Sequence, residues 1–275
     1  MSFFALDDYG RFATFASASA SPSGLEAQNL AAERVNTRWR VTGLSPGSTR
    51  VAVDVTFAPG TPARAPIHYL FVQRPRYSLK TELAEGPVFG PTDTIRVIFY
   101  EDEIGGVVVE DTGDLASGMI EGVGVFGLWR PAGVAFEAMR IEFDAVSRAV
   151  APANFTDMGV VRFGPAHQFA VDYVGFSESP RSNSSLQRPS LGASLYARKG
   201  AHWRHWSLLF RCIRDSERAE VRKFLYANYD GSQFVFGHDE TNPAESWMLA
   251  AMINPDVARA SVNFRRLPLE LEEAL

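Results

Sequence analysis

The stretch from Gly200 to Phe236 reads GAHWRHWSLLFRCIRDSERAEVRKFLYANYDGSQFVF and has the pattern of one complete supersecondary unit. Its first part alternates, with Trp206, Leu208 and Phe210 on one face of an extended segment. Cys212 continues the same row. Such alternation predicts a half-buried strand.

A short amphipathic helix is predicted next. Asp215 or Ser216 can cap it, with Glu217 in the first turn. Residues at helical spacing would form its buried face, and they are Val221, Phe224, Leu225 and Asn228. Cationic residues would face water, and they are Arg218, Arg222 and Lys223. A turn at Asp230-Gly231 then leads to a strand, so the predicted core consists of Trp206, Leu208, Phe210, Phe224, Phe234 and Phe236.

The chain from Gly200 onward resembles the distal tail proteins of long non-contractile-tailed phages. The resemblance rests on Gly200, Trp203-Arg204-x-Trp206-x-Leu208-x-Phe210, Glu217, Phe224, Gly231, Phe234-Val235-Phe236 and the run Leu267-Pro268-Leu269-Glu270-Leu271-Glu272-Glu273. It implies a tail-tube-like β domain, a homo-hexameric ring, and contacts with the tail tube protein and with tail hub or baseplate proteins. It also implies a structural protein of the virion, located at the tail tip and made in the host cytoplasm.

The chain before this region has an all-β pattern. Residues 1–19 form an N-terminal segment that could dock on a neighbour, and the Ala, Ser, Pro and Gly residues from Ala16 to Gly24 favour a flexible or extended connection. Strands are predicted at Val51–Phe57, Ile67–Val72, Thr94–Tyr100 and Met139–Phe143. Several strands at such spacing favour a β-sandwich over residues 20–176.

The order of these pieces resembles a galactose-binding-like jelly roll. The pieces are Asn29-Leu30, Trp39-Arg40, the Val-rich strand, the run ending at Gln73-Arg74, Arg140-Ile141-Glu142-Phe143 and Gly159-Val160-Val161-Arg162-Phe163-Gly164. The predicted fold class is therefore mainly β, with a jelly-roll-like sandwich followed by a tail-tube-like β domain that contains one helix.

A polar segment rich in Ser and Pro separates the two predicted domains. Residues 177–190 are predicted to be a linker or arm, and residues 191–275 the second domain. Within that domain, Trp247 to Ile253 and a last strand from Val262 continue the β pattern. A bulge is expected near Arg265-Arg266, and Pro268 indicates an edge strand or a change of partner.

Composition narrows the classes of function. The formal charge of -5 argues against a nucleic-acid binder, which would need a clustered basic face. A single cysteine, Cys212, cannot form an internal disulfide and is interpreted as a small buried hydrophobe. No apolar run is long enough to span a bilayer, and Met1–Leu6 lacks the basic start of a signal peptide, so it is expected to stay on the mature protein.

Catalytic and metal-binding sets are not predicted, and no cofactor is expected. His202 and His205 would point to opposite faces of a strand and are interpreted as surface histidines. His238-Asp239-Glu240 is interpreted as a solvated loop, with calcium or magnesium binding as the alternative. The acidic runs Glu101-Asp102-Glu103 and Glu110-Asp111 are hydrated turns that could also bind a cation.

Two aromatic and arginine pairs are candidates for glycan contact. Trp39-Arg40 and Trp129-Arg130 each combine an aromatic plate with a bidentate donor. Buried tryptophans beside surface arginines are the alternative interpretation.

The predicted function is architectural: a ring at the distal end of a phage tail, which joins the tail tube to the tail tip. The alternative is a carbohydrate-binding adhesin, or an accessory module that recognises host surface glycans. An enzyme is the third hypothesis, and it lacks a candidate acid and base pair.

Overall fold

The computed structural model describes residues 1–32, 38–58, 66–73, 93–118, 124–146, 155–182, 185–187, 196–198, 202–210, 213–228, 230–253 and 267–274. The fold is mainly β, and the predicted β-sandwich class is confirmed. Among these residues, none of the helices has the length and apolar character needed to cross a lipid bilayer.

The chain divides into two compact units. Unit 1 comprises Met1–Gln168 and Val235–Met248, and unit 2 comprises Phe169–Phe234 and Leu249–Leu275. This division differs from the predicted one. The first 19 residues belong to unit 1 rather than forming a separate segment, and a piece of the predicted second domain returns to unit 1.

The first layer of unit 1 is a six-stranded sheet. Its strands are β2 (Thr14–Ala16), β4 (Arg50–Thr56), β6 (Thr94–Tyr100), β7 (Val108–Asp111), β8 (Leu115–Ala116) and β10 (Ala138–Asp144). Their order is β2-β4-β10-β6-β7, with β8 also pairing with β6. Burial alternates along β4, so one face of the sheet meets the core and the other meets solvent.

The second layer of unit 1 consists of two smaller sheets. Their strands are β3 (Trp39–Thr42), β5 (Ile67–Gln73), β9 (Val125–Val134), β11 (Phe155–Met158) and β12 (Val160–Gly164). One sheet has the order β12-β5-β9 and the other pairs β3 with β11. Side chains of both layers share one apolar core, which includes Val53, Val97, Ile141, Leu70, Phe126 and Phe163. This arrangement is a β-sandwich.

The N-terminal segment is an integral part of unit 1. Strand β1 (Phe3–Ala5) pairs with β13 (Ala166–Gln168) and with β18 (Phe234–Gly237). Phe3 and Phe4 are fully buried. A 3-10 turn at Tyr9–Arg11 and another at Ala27–Ala31 follow. Phe3 and Phe4 of this segment are thus buried in their own chain, whereas Phe12 is 70% exposed, and docking of the segment on a neighbour stays a prediction.

The strand and helix predicted around Trp206 are present in unit 2. Strand β17 spans His202–Phe210 and helix α1 spans Arg218–Ala227, after a 3-10 turn at Asp215–Glu217. The predicted capping is wrong, because Glu217 occupies the N-cap position without a side-chain cap bond. Its buried carboxylate instead accepts hydrogen bonds from the backbone N–H groups of Ala170 and Arg214, at 2.7 and 2.9 Å.

The predicted linker is largely a strand. Strand β14 (Gly175–Ser182) pairs with β17 along its whole length, and β15 (Ser185–Gln187) pairs with β16 (Tyr196–Arg198). The polar, Ser- and Pro-rich composition predicted a linker. It is also compatible with β14, because β14 is an edge strand whose residues are mostly exposed.

The remaining strands of unit 2 lie on the other side of β17. Strand β20 (Leu267–Glu273) pairs with β17 and with β19 (Trp247–Met252). Pro268 pairs with Leu209 of β17 and lies beyond the residues that β19 contacts, so it sits where β20 has one partner among the described residues. Cys212, Val262 and the bulge expected at Arg265-Arg266 lie outside the described residues.

Candidate functional site

Trp39 is a core residue rather than a binding platform. Its side chain is 1% exposed, and its ring packs near Phe143 with 6.1 Å between centroids. Its indole N–H donates to Ser21 Oγ at 3.0 Å. Stacking on a sugar requires an open ring face, so the predicted glycan contact at Trp39 is wrong.

Arg40 forms a bidentate ion pair with a buried carboxylate. Its Nε and Nη2 donate to the two oxygens of Asp157, both at 2.7 Å. The Asp157 side chain is 0% exposed, and Arg38 Nη1 lies 3.7 Å from it. The Arg40 guanidinium also lies 3.8 Å from the centroid of the Phe155 ring. This bidentate ion pair joins β3 to β11. Arg40 therefore stabilises the sandwich, in contrast to its predicted role in glycan contact.

Trp129 keeps part of its surface accessible. It lies on β9 opposite Tyr69 of β5 and is half-buried. Its ring contacts Phe3, with 4.5 Å between centroids, and lies 6.3 Å from the ring of His68. Burial lowers the pKa of His68, so that imidazole is neutral near pH 7. Trp129 is thus the accessible aromatic residue of the predicted set.

Arg130 follows Trp129 at a break in the strand pairing. The pairs Ile67 with Val134 and Tyr69 with Trp129 leave one residue of β5 facing four of β9. Gly133 lies within this irregular segment at φ +71°. Arg130 donates to the Glu110 carboxylate and to its neighbour's carbonyl oxygen. Trp39-Arg40 and Trp129-Arg130 lie in different sheets of the second layer.

Asp111 and Asp239, from two of the stretches predicted as possible cation sites, bind groups of their own chain. Arg96 Nε donates to Asp111 at 2.9 Å, and that hydrogen bond lowers the Asp111 pKa to about 2. The Asp239 carboxylate accepts from the backbone N–H and the hydroxyl of Thr241. Within the described ranges, no three His, Cys, Asp or Glu residues are grouped as metal ligands.

His205 departs from its prediction as a surface residue. It is buried on β17, and its Nδ1 lies 3.2 Å from Ser179 Oγ on β14. The side chain of His202 lies outside the described residues. The six predicted core residues Trp206, Leu208, Phe210, Phe224, Phe234 and Phe236 are all buried.

A buried charge cluster in unit 1 has no counterpart in the sequence predictions. Arg162 is fully buried, with Nε 2.9 Å from Asp8 Oδ2, and it also donates to the carbonyl oxygens of Val161, Ala31 and Ala32. Burial raises the pKa of Asp8 against the opposing effect of Arg162. Asp7-Asp8 has the sequence signature of a hydrated turn, so the pattern gave no signal of this role.

Two exposed surfaces were also missed. The first, called the valine edge, consists of Val107, Val108 and Val109 at strand β7, which are 60%, 50% and 47% exposed. The turn before it, called the acidic turn, exposes Glu101, Asp102 and Glu103. The second surface, called the basic helix face, consists of Arg218, Arg222, Lys223 and Tyr226 on α1.

Comparison with known proteins gives likeness of fold only. No protein-family model and no curated protein matches the sequence. The chain is similar to the family 32 carbohydrate-binding module of NanJ from C. perfringens, solved with galactose, at 11% identity and a TM-score of 0.39, over 61% of this chain and 100% of that one.

Two further solved structures have similar scores. The family 32 carbohydrate-binding module of EndoD from Streptococcus pneumoniae has 11% identity and a TM-score of 0.40, over 58% of this chain and 99% of that one. A fucolectin from striped bass serum has 6% identity and a TM-score of 0.37, over 99% and 93% of the two chains. Likeness at this level does not carry a ligand from those proteins to this one.

Proposed function

We propose that the protein is a structural subunit of a phage tail tip, which assembles with copies of itself into a ring between the tail tube and the tail hub or baseplate. The observation that carries this proposal is the pairing of β17 with β20. The two sequence stretches that resemble distal tail proteins lie apart in the chain, yet they are adjacent strands with Trp206 opposite Leu271 and Phe210 opposite Leu267.

The edge of unit 2 also supports assembly. Strand β14 pairs with β17 and is the outermost described strand of this sheet. Val174, just before it, is 55% exposed, and Phe176 within it is also exposed. Exposed strand edges are surfaces that assemblies cover, because a ring removes edges that a monomer would leave in water.

Electron microscopy of the purified 275-residue chain tests the proposal. We expect closed rings, with six copies as the resemblance implies. Labelling of intact virions with an antibody against the protein should place it at the tail tip. A chain that stays monomeric at the concentrations used for microscopy, together with unlabelled tails, would refute the structural role.

Glycan binding by unit 1 is the second candidate function. The observation that favours it is the half-buried Trp129, whose ring lies near His68 and beside Arg130. An aromatic face next to polar donors suits a sugar, which stacks its apolar face and hydrogen-bonds its hydroxyl groups. Some proteins of similar fold were solved with sugars, and this candidate rests on Trp129 alone.

A glycan array probed with the full chain tests this candidate. We expect binding that Trp129→Ala abolishes and Trp129→Phe partly retains, since phenylalanine keeps an aromatic face. Trp203→Ala, which removes a half-buried tryptophan from unit 2, is the matched control and should bind as the parent chain does. Absence of binding by the parent chain, or unchanged binding by Trp129→Ala, rules this site out.

A further inference from the structure

The valine edge is unusual because three consecutive valines are exposed at the outer strand of the six-stranded sheet. Val107, Val108 and Val109 are each about half exposed or more. Directly under the adjoining turn, Ile98, Tyr100 and Ala138 form a small buried cluster against which Ile104 packs. Exposed apolar side chains grouped at a sheet edge in this way suit an interaction surface.

The pairing of β7 indicates how this surface would be used. Tyr100 pairs with Val108 while Phe99 pairs with Glu110, so Val109 is the extra residue of a bulge. A bulge twists an edge strand and makes addition of another strand unfavourable. The valine edge therefore suits contact through side chains rather than through backbone pairing.

Carboxylates border the valine edge on one side. Glu101, Asp102 and Glu103 are exposed, and the turn closes where the Glu101 N–H donates to the Val107 carbonyl oxygen at 2.9 Å. This places the acidic turn directly beside the first valine. A complementary surface would combine apolar area with positive charge.

The basic helix face has that combination. Arg218, Arg222 and Tyr226 follow one another at intervals of four residues, so they form one row along α1, with Lys223 beside it. The Arg222 guanidinium lies 5.6 Å from the centre of the Tyr226 ring, and Tyr226 is 59% exposed. The opposite side of the helix is buried through Val221 and Phe224, so this row cannot be part of the core.

We propose that the valine edge and acidic turn of one copy bind the basic helix face of another copy. This proposal rests on the self-assembly proposed above and names the contact that carries it. Three carboxylates would meet three cations, and the valines would meet the Tyr226 ring. Because the two surfaces differ, the contact is heterologous, and repetition of such a contact closes a ring when the rotation between copies allows it.

The net charge of the chain favours a second copy as the occupant. A formal charge of -5 favours contacts in which positive charge is gathered where copies meet. The basic helix face gathers three cations in 218–223, a range in which Glu220 is the single carboxylate. Since both contact surfaces are exposed and charged, the association should weaken as salt is added.

Charge reversal with restoration tests the contact. The acidic variant is Glu101→Lys, Asp102→Lys and Glu103→Lys together, and the basic variant is Arg218→Glu, Arg222→Glu and Lys223→Glu together. Each should weaken self-association by about tenfold or more. A chain that carries all six substitutions has complementary surfaces again and should regain assembly. Glu26→Lys reverses an exposed charge that lies outside both surfaces and outside β14, and it is the matched control.

Sedimentation velocity over a concentration series measures the self-association of the parent chain and of each variant. Circular dichroism checks that each variant is folded. Assembly of the parent chain and of both single-surface variants alike would overturn this contact and leave the ring proposal standing. Loss in the single-surface variants without recovery in the six-fold variant would also overturn it, because another surface would then be the partner. A parent chain that never associates refutes the ring itself.

Discussion

The two units differ in how far apart in the sequence the aromatic residues of their cores lie. In unit 2, Trp206, Phe224 and Phe234 come from one continuous strand, helix and strand, and the Phe224 and Phe234 rings meet at 4.8 Å. In unit 1, Phe3 packs against both Trp129 and Trp247, at 4.5 and 4.7 Å between ring centroids. Those three residues come from the start, the middle and the last part of the chain.

The core around Phe3 in unit 1 therefore depends on fit between remote segments, whereas the Phe224 and Phe234 contact in unit 2 joins neighbours in the sequence. Gly127 and Gly237 are two positions at which remote segments approach each other closely. A Cβ at Gly127 would lie 2.6 Å from Trp247, and one at Gly237 would lie 2.3 Å from Phe3. Contacts between remote segments also make folding slower than local contacts do.

The largest effect is expected in the locally built core. Trp206→Ala should destabilise the protein by ~3–5 kcal/mol, because the fully buried indole leaves a cavity. Tyr226→Ala, at an exposed position on α1, should change stability by about 0.5 kcal/mol or less. Thermal unfolding measures both. An unchanged midpoint for Trp206→Ala would contradict the assigned core.

The buried ion pair of unit 1 should give the next largest effect. Asp157→Asn should cost about 3 kcal/mol, because the Arg40 charge loses its buried partner. Asp54→Asn is the matched control, since Asp54 forms a similar bidentate ion pair with Arg140 but is 32% exposed. The control should cost less than about 1 kcal/mol. Equal losses in urea unfolding would show that burial does not distinguish the two ion pairs.

A smaller effect is expected where remote segments meet. Gly127→Ala should cost ~1–3 kcal/mol, because the new methyl group overlaps Pro243 and Trp247. Gly175→Ala is the control, as its Cβ would lie 3.7 Å from Leu209, an ordinary contact distance. Hydrogen exchange should show faster opening of 235–248 in the Gly127 variant alone. Unchanged exchange there would mean that residues 235–248 accommodate the added methyl group without loss of packing.

The smallest effect concerns pH at the surface of the six-stranded sheet. The Asp111 pKa falls from 3.8 to about 2 on folding, because Arg96 and the Gly113 N–H bind the carboxylate. Its contribution to stability is therefore complete above pH 3.8 and is lost as the pH falls through about 2. Solvent screening limits it to a few tenths of a kcal/mol. Asp111→Asn should thus differ from the parent at pH 5 and converge with it near pH 2.

The sequence predicted the locally determined elements well. The strand Thr94–Tyr100 has the predicted bounds, and the buried face of α1 contains the residues at helical spacing. Periodicity suffices there because each element contributes its own amphipathic face. It cannot predict that Phe3 joins Trp247, or that polar residues 175–182 form an edge strand, since those depend on which strands become neighbours.

The candidate site was predicted less well for a related reason. Trp39-Arg40 and Trp129-Arg130 have the same sequence pattern, yet Trp39 is in the core and Trp129 is half-buried. The difference arises from the strands that lie beside Trp39 and beside Trp129. A dipeptide sequence contains no information about which strand will become its neighbour. Arg162 likewise lies in an apolar strand that could have exposed it, and only the fold brings Asp8 to it.

Native mass spectrometry of the 275-residue chain over a concentration and salt series measures self-assembly itself. We expect one discrete closed oligomer, with six copies, that dissociates as salt is raised. A monomer at every concentration, or an open ladder of sizes without a dominant closed species, would contradict the proposed ring.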